Sequence, residues 1–330
     1  MKNGRPAYRR PPGDATATDY EINDTRRYHI ERLDTLGWEL TVCNALDPKG
    51  SPCRRILRRG DSYGNLLYDF LARFIPMPSL RKVIEIGGGY GYLMRDFLTR
   101  NCSLQATMLD ISPFLLEQQR RTLGPCDVTY RLADAMELER DDLRTFDLAV
   151  LNENLGDFPT LVGVQGGSLE SSGRDLADPL QRARWMFDRY LLEPPRSESF
   201  NMNIGAMEIV EKLCLAGIPY IFLAEHSCEA SVPEPLKRWI QVRATGKPER
   251  IRLHGHDEYT IRFSDLERIA RALHYETLRG PLADYIAFDF TDQVGYIMRA
   301  NDSRKDEHEI IRHFIEDLYQ YEYLVLMKPR

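Results

Sequence analysis

Apolar residues in this chain fall into short, nearly unbroken runs that alternate with stretches of helical spacing. Besides the mixed strand-like run Val128 to Leu132, with Thr129 and Arg131 in it, Val83 to Ile86, Leu104 to Leu109, Phe146 to Leu151 and Pro219 to Ala224 are of the first kind. Such runs suit strands of a parallel sheet covered on both faces. Tyr63 to Phe74, with Leu66, Leu67, Phe70 and Leu71, has the helical spacing, as does Ile204 to Ala216, which Gly217 ends. Strands alternating with helices predict an α/β fold with a mostly parallel sheet. Later in the chain, Tyr275 to Leu278 and Val294 to Met298 are expected to form an antiparallel pair closing that sheet. Ile310, Ile311, Phe314, Ile315 and Leu318 give Glu307 to Leu326 an amphipathic helical pattern, so residues 301–330 are expected to be a C-terminal helix.

Around this framework lie less regular segments. Residues 1–18, with Arg5, Arg9, Arg10, Pro11 and Pro12, have the composition of a disordered tail, and residues 19–78 are expected to be mainly helical. A main domain over 79–300 carries an insertion at 156–205, longer than a strand-helix-strand crossover needs. Its start, Gly163-Val164-Gln165-Gly166-Gly167-Ser168, is flexible by composition, and Asp175 to Leu192 is expected to be a helix. A substrate lid and a plain surface loop are both open for it.

Composition narrows the class. A hydrophobic share of 43% and a charged share of 28% are those of a soluble globular protein. There is no apolar run of membrane-spanning length and no secretory signal, so a cytoplasmic protein without membrane contact is the expectation. A net charge of −6 disfavours a broad nucleic-acid surface. Six cysteines without a Cys-x-x-Cys pair read as reduced thiols. His254-Gly255-His256 lacks a clear third ligand in sequence, so it reads as a surface loop and no metal is expected.

The chemistry concentrates where the first strand meets a glycine-rich turn, Glu85-Ile86-Gly87-Gly88-Gly89-Tyr90-Gly91. Glycines there admit a tight turn and close approach of a ligand, and the following helix offers unpaired N–H groups. The dinucleotide fingerprint Gly-x-Gly-x-x-Gly fails in both registers, ending on Tyr92 or Met94. NAD is therefore not the expected ligand. Asp110 stands 23 positions after Gly87 at the end of the second strand, where a carboxylate suits a ribose diol, or caps the helix after Ile111-Ser112-Pro113. Asp134-Ala135 ends the third strand, where an aspartate can meet an exocyclic amine or stay solvated, and Asn152-Glu153 ends the fourth.

The acidic residue before Gly-x-Gly-x-Gly resembles the turn of class I S-adenosylmethionine (SAM) methyltransferases. That resemblance implies a Rossmann-like, seven-stranded, mostly parallel sheet with flanking helices, here with helical N-terminal and insertion segments. It also implies SAM as cofactor, held by Glu85, Gly87, Gly88, Gly89, Gly91, Asp110, Ile111, Asp134, Ala135 and Asn152. Leu93-Met94-Arg95-Asp96, Asp110-Ile111-Ser112-Pro113 and Asn152-Glu153 with Pro159 narrow the likeness, over about residues 80–160, to the MidA-like methyltransferases. That family includes mitochondrial complex I assembly factors that methylate a protein arginine. On the acceptor side the chain departs from it. Gly156 and Asp157 replace an aspartate one place earlier, Glu225-His226-Ser227 replaces Asp-Tyr-Gly, and Thr260-Ile261-Arg262-Phe263 replaces His-x-Asp-Phe.

By position at the sheet edge, Glu153, Asp157, Glu225 and His226 are the candidates to orient an acceptor and take its proton. Glu225-His226 also reads as a structural hydrogen-bonded pair. The expected acceptor is a protein side chain or a small molecule. The alternative is a SAM-binding assembly factor without turnover, while nucleic-acid methylation lacks its Asn/Asp-Pro-Pro-Tyr/Phe tetrad at 152–155. The C-terminal amphipathic face packs on the core or, alternatively, joins two copies.

Overall fold

The computed structural model describes residues 20–34, 41–169, 176–195, 197–299 and 306–329. The tail expected over 1–18 lies outside them. The N-terminal part holds strand β1 (Glu21–Asn23) and helices α1 (Arg26–Glu31), α2 (Val42–Ala45), α3 (Pro52–Ile56) and α4 (Tyr63–Leu71). Side-chain caps explain where two of these start. Thr41 accepts from the Asn44 N–H at α2, and Ser51 from the Cys53 N–H at α3, where Pro52 takes the first helical position.

The chain then alternates as expected: β2 (Lys82–Ile86), α5 (Tyr92–Arg100), β3 (Gln105–Asp110), α6 (Pro113–Leu123), β4 (Val128–Leu132), α7 (Arg140–Leu143) and β5 (Leu148–Asn152). Next come β6 (Thr160–Gln165), α8 (Pro179–Tyr190), β7 (Ser199–Met202), α9 (Ile204–Ala216) and β8 (Tyr220–His226). The remainder is β9 (Arg250–Arg252), β10 (Asp257–Tyr259), α10 (Phe263–Ala272), β11 (Glu276–Pro281), α11 (Asp292–Arg299), α12 (Asp306–Gln320) and β12 (Tyr321–Met327).

Seven strands form one sheet in the order β11-β12-β8-β5-β2-β3-β4. Neighbours from β8 to β4 pair in parallel, and β12 runs antiparallel between β8 and β11. This is the class I methyltransferase sheet, Rossmann-like, with the order reversing at β2. Ligands of open α/β sheets bind outside the strand carboxyl ends at such a switch point. Alternate residues feed two cores: Val83, Leu148, Val150 and Phe222 face one side, and Ile84, Ala149, Leu151 and Ile221 the other. Burial on both faces is why these strands read as apolar runs.

Three expectations need correction. The C-terminal pattern is a helix only to Gln320, after which Tyr321 to Met327 is a strand inside the sheet. A short apolar run of aromatic and branched residues cannot be told from helix by periodicity alone, and burial on both sides of β12 decides it. Val294 to Met298 is helix α11, because Val294, Ile297 and Met298 fall on one helical face and are buried there. The N-terminal region is mainly helical as expected, and its one described strand, β1, pairs antiparallel with β6, which pairs with β7, giving a small sheet that includes part of the insertion. Residues Gly163 to Ser168 are therefore the end of β6 and a short 3-10 turn rather than a slack linker.

The apolar stripe of α12 is spent inside the chain. Ile311, Phe314, Ile315 and Leu318 are buried with the core that also holds α4 and β12, leaving that stripe covered within one copy. Among the described residues no helix is long and apolar enough to cross a membrane. The six cysteines are free thiols.

Candidate functional site

The turn between β2 and α5 needs its glycines. Gly87, Gly89 and Gly91 have φ of 65°, 51° and 83°, the left-handed region that side chains with a Cβ avoid. A Cβ at Gly87 would collide with the Asn154 amide, and one at Gly88 would stand 3.0 Å from Glu85 Cδ. Both neighbours matter chemically. Glu85 is buried, and its Oε2 has no hydrogen-bond partner among the described residues. Asn154 donates to the Ile86 carbonyl, and its buried Oδ1 is likewise unpartnered. Burial, with the charge of Asp110 adding to it, pushes the Glu85 carboxyl up to about 8.

Asp110, at the end of β3, accepts from the Ser112 N–H and from Gln119 Nε2, each at 2.9 Å. Burial raises its pKa to about 6 against those bonds. Gln119 also donates to the Gly89 carbonyl at 3.1 Å, which ties the carboxylate to the glycine turn. Asp134 accepts from the Met136 N–H at 2.8 Å and from Arg26 of α1 at 3.0 Å, so both its oxygens are engaged.

These residues share one cleft at the carboxyl edge of β2 to β5. Glu85, Gly87, Gly88, Gly89, Asp110, Ile111, Asp134, Ala135 and Asn152 all line it. Gly91 is not among the lining residues, and instead caps α5. Of the four acceptor-side residues, Glu153 and Asp157 line the cleft, and Glu225 and His226 do not.

Glu153 has φ 55°, unusual for a residue with a side chain. Its carboxylate accepts from the Val42 and Cys43 N–H groups at 2.9 and 3.1 Å and from Asn152 Nδ2 at 3.0 Å. It thus holds the start of α2 against the cleft. Burial outweighs these bonds and, with the charge of Glu225, raises its pKa to about 7. Asn152 itself accepts from the Tyr63 hydroxyl, which meets the Tyr285 hydroxyl at 2.9 Å.

Glu225 accepts from the Gly156 and His226 N–H groups at 3.2 and 2.8 Å. His226 lies against the Tyr321 ring, with Asp317 3.9 Å from its Nε2. Burial works to lower the pKa of this imidazole, and Asp317 and Glu225 override it, raising it to about 9. The pair fixes the turn after β5 and stands apart from the cleft lining.

The N-terminal segment forms the rim, which the sequence pattern missed. Thr25, Arg26 and His29 line the cleft, together with Thr41, Cys43 and Asn44. The Thr25 hydroxyl donates to the Asp157 carbonyl at 2.8 Å, and His29 Nε2 lies 2.9 Å from Asp157 Oδ1. His256 is no surface-loop residue: its side chain is 6% exposed and stacks on Tyr28 at 4.2 Å. The only early signal was the His-x-His spacing itself, and its companions come from 99 and 227 positions upstream.

Residues 83–162 match the family model of a methyltransferase domain. This stretch and the sheet around it give the chain a methyltransferase domain, and SAM is the cofactor of such domains. Among solved structures it resembles an uncharacterised protein from Burkholderia thailandensis, at 17% identity and a TM-score of 0.51 over 81% of this chain and 79% of that one. A member of the same superfamily from that organism, crystallised with S-adenosyl-homocysteine, is 16% identical with a TM-score of 0.48 over 81% and 76%. Magnesium protoporphyrin IX methyltransferase of Synechocystis PCC 6803 is 11% identical with a TM-score of 0.40 over 81% and 78%. At these identities the first likeness speaks for the fold alone. No curated protein matches the sequence.

Proposed function

We propose that this chain transfers the methyl group of SAM to a protein side chain or a small molecule. The observation that carries the reading is the orphaned Glu85 oxygen beside the glycine turn in the cleft. A buried acceptor without a donor costs about 1–3 kcal/mol, and more when charged. The ammonium of SAM is the donor that offsets this cost, with Asn154 Oδ1 as a second acceptor for it. Asp110 would hold the ribose diol, and Asp134 or the backbone at Ala135 the adenine.

When bound, SAM would supply a sulfonium methyl carbon that an acceptor attacks in line, with S-adenosylhomocysteine as the leaving group. The chain's part is to position the acceptor and receive its proton. Glu153 is placed for this, since it lines the cleft and its pKa stands near neutrality. Glu225 serves as a positioning residue through the Gly156 N–H, with the His226 N–H bonded to the same carboxylate.

A MidA-like acceptor side would call for a protein arginine, with carboxylates pairing to the guanidinium. Asp157 is engaged by His29 and His256 instead, which favours a different acceptor. One observation favours the assembly-factor alternative: the Glu153 carboxylate is itself held by three donors. Incubating a cell lysate with isotopically labelled SAM and the purified chain, followed by mass spectrometry, separates the two. Label on a lysate component supports transfer, and bound SAM without any label supports the alternative.

A further inference from the structure

Four titratable side chains outside the cofactor cradle gather at the rim of the cleft. His29 comes from α1, Asp157 from the turn after β5, and His256 and Glu258 from the β9–β10 hairpin. The Nε2 atoms of His29 and His256 lie 2.9 and 3.5 Å from the same Asp157 oxygen, Oδ1. These three atoms are all within 4.8 Å of one another. Glu258 Oε1 lies 3.1 Å from His256 Nε2.

Hydrogen bonds pair each imidazole with one carboxylate, His29 Nε2 with Asp157 and His256 Nε2 with Glu258, and leave over the 3.5 Å approach of His256 Nε2 to Asp157. A ring nitrogen carries at most one hydrogen, yet His256 Nε2 faces two carboxylates. Two carboxylates also stand side by side at a site where His256 is almost fully covered. A dication resolves both problems. Nitrogen and oxygen ligands sit about 2.0–2.2 Å from zinc, so a tetrahedral arrangement sets neighbouring donors roughly 3.3–3.5 Å apart. The separations of 2.9 and 3.5 Å to Asp157 lie near that range, and the two imidazole donors come within 4.8 Å of each other, so the ion would draw them together.

We propose that His29, Asp157 and His256 form a site for a first-row transition-metal dication of the zinc type, with Glu258 as the flanking carboxylate. Two imidazoles and a carboxylate are the borderline donors such ions take. Three protein ligands leave a coordination position open, the pattern of a working site rather than a closed structural one. Two of the three, His29 and Asp157, line the cleft, so that position is accessible from it. Resting on the methyltransferase reading, the ion would bind an acceptor oxygen and ease transfer of its proton to the Glu258 carboxylate. That points to a hydroxyl-bearing acceptor. The site also fastens α1 over the cleft.

The test is metal uptake by the full chain, independent of turnover. The metal-free protein is titrated with zinc chloride by calorimetry and with cobalt(II) chloride by visible absorption. His29→Ala, Asp157→Asn and His256→Ala are run beside the remote, exposed His313→Ala, and circular dichroism checks that each is folded. One ion per chain, weakened about tenfold or more by each cluster variant and unchanged in His313→Ala, is the expected result. If an alanine variant does not fold, the near-isosteric Asp157→Asn decides. No stoichiometric uptake, or uptake indifferent to all the cluster variants, overturns the site and leaves a hydrogen-bonded cluster. SAM titrated into the same samples keeps the readings apart: SAM binding without metal sinks only the metal site, and metal without SAM binding sinks only the methyltransferase reading.

Discussion

Glu85→Gln should make the cofactor-free protein more stable and the cofactor complex weaker. Glu85 is 2% exposed, and its carboxyl titrates near 8 in the folded chain against an ordinary 4.5. At pH 7 the unfolded chain has lost this proton and the folded chain keeps it, so folding binds a proton about 2.5 pH units above its ordinary range. At about 1.36 kcal/mol per unit this costs roughly 3 kcal/mol. The cost is absent below pH 4.5, grows as the pH rises and levels off above about 8. Glutamine has nearly the same shape and no proton to lose. The variant should therefore gain up to about 3 kcal/mol at pH 7, a shift of several degrees in Tm, and the gain should vanish towards pH 4.5. An ammonium bonded to a buried carboxylate contributes about 1.5–3 kcal/mol, so SAM affinity should fall on the order of 10- to 150-fold. Thermal unfolding from pH 5 to 8 without cofactor reads the first effect, and calorimetric titration with SAM reads the second. A variant less stable than wild type at pH 7, or one with unchanged SAM affinity, refutes the reasoning.

Gly89→Val should leave a folded protein that no longer binds SAM, because a branched side chain is strained at φ 51° and fills the space the cofactor needs; unchanged affinity in the folded variant would make the turn merely structural. Glu153→Gln should keep SAM affinity and lower methyl transfer by about 10²–10⁴-fold. Unaltered turnover would leave Glu153 as the residue that anchors α2 and nothing more.

The glycine-turn half of the cleft was legible because it is local. A strand buried on both faces, an acidic residue in it and four glycines after it lie within ten positions, Asp110 ends β3, and Asp134 follows β4 by two positions. Gly91 stands outside the cleft lining, and its left-handed backbone starts α5. The acceptor side is assembled from distant segments, and periodicity carries no trace of that. Helix α1 buries none of its residues, so no apolar stripe announced that Arg26 would reach Asp134 or that His29 would reach Asp157. Glu225 and His226 end a strand at the right edge, yet hydrogen bonds turn Glu225 to Gly156, and His226 packs on Tyr321. β12 escaped for a different reason. Seven consecutive residues, all but Glu322 apolar or aromatic, follow a helix without a break, and only pairing with β8 and β11 shows where the helix stops.

Calorimetric titration of the purified chain with SAM, and in parallel with NAD, tests the central claim most directly. The acidic residue, the glycine register and the unpartnered Glu85 oxygen together predict one SAM bound per chain, displaced by S-adenosylhomocysteine, and no heat from NAD. Binding of NAD with none of SAM would contradict the account.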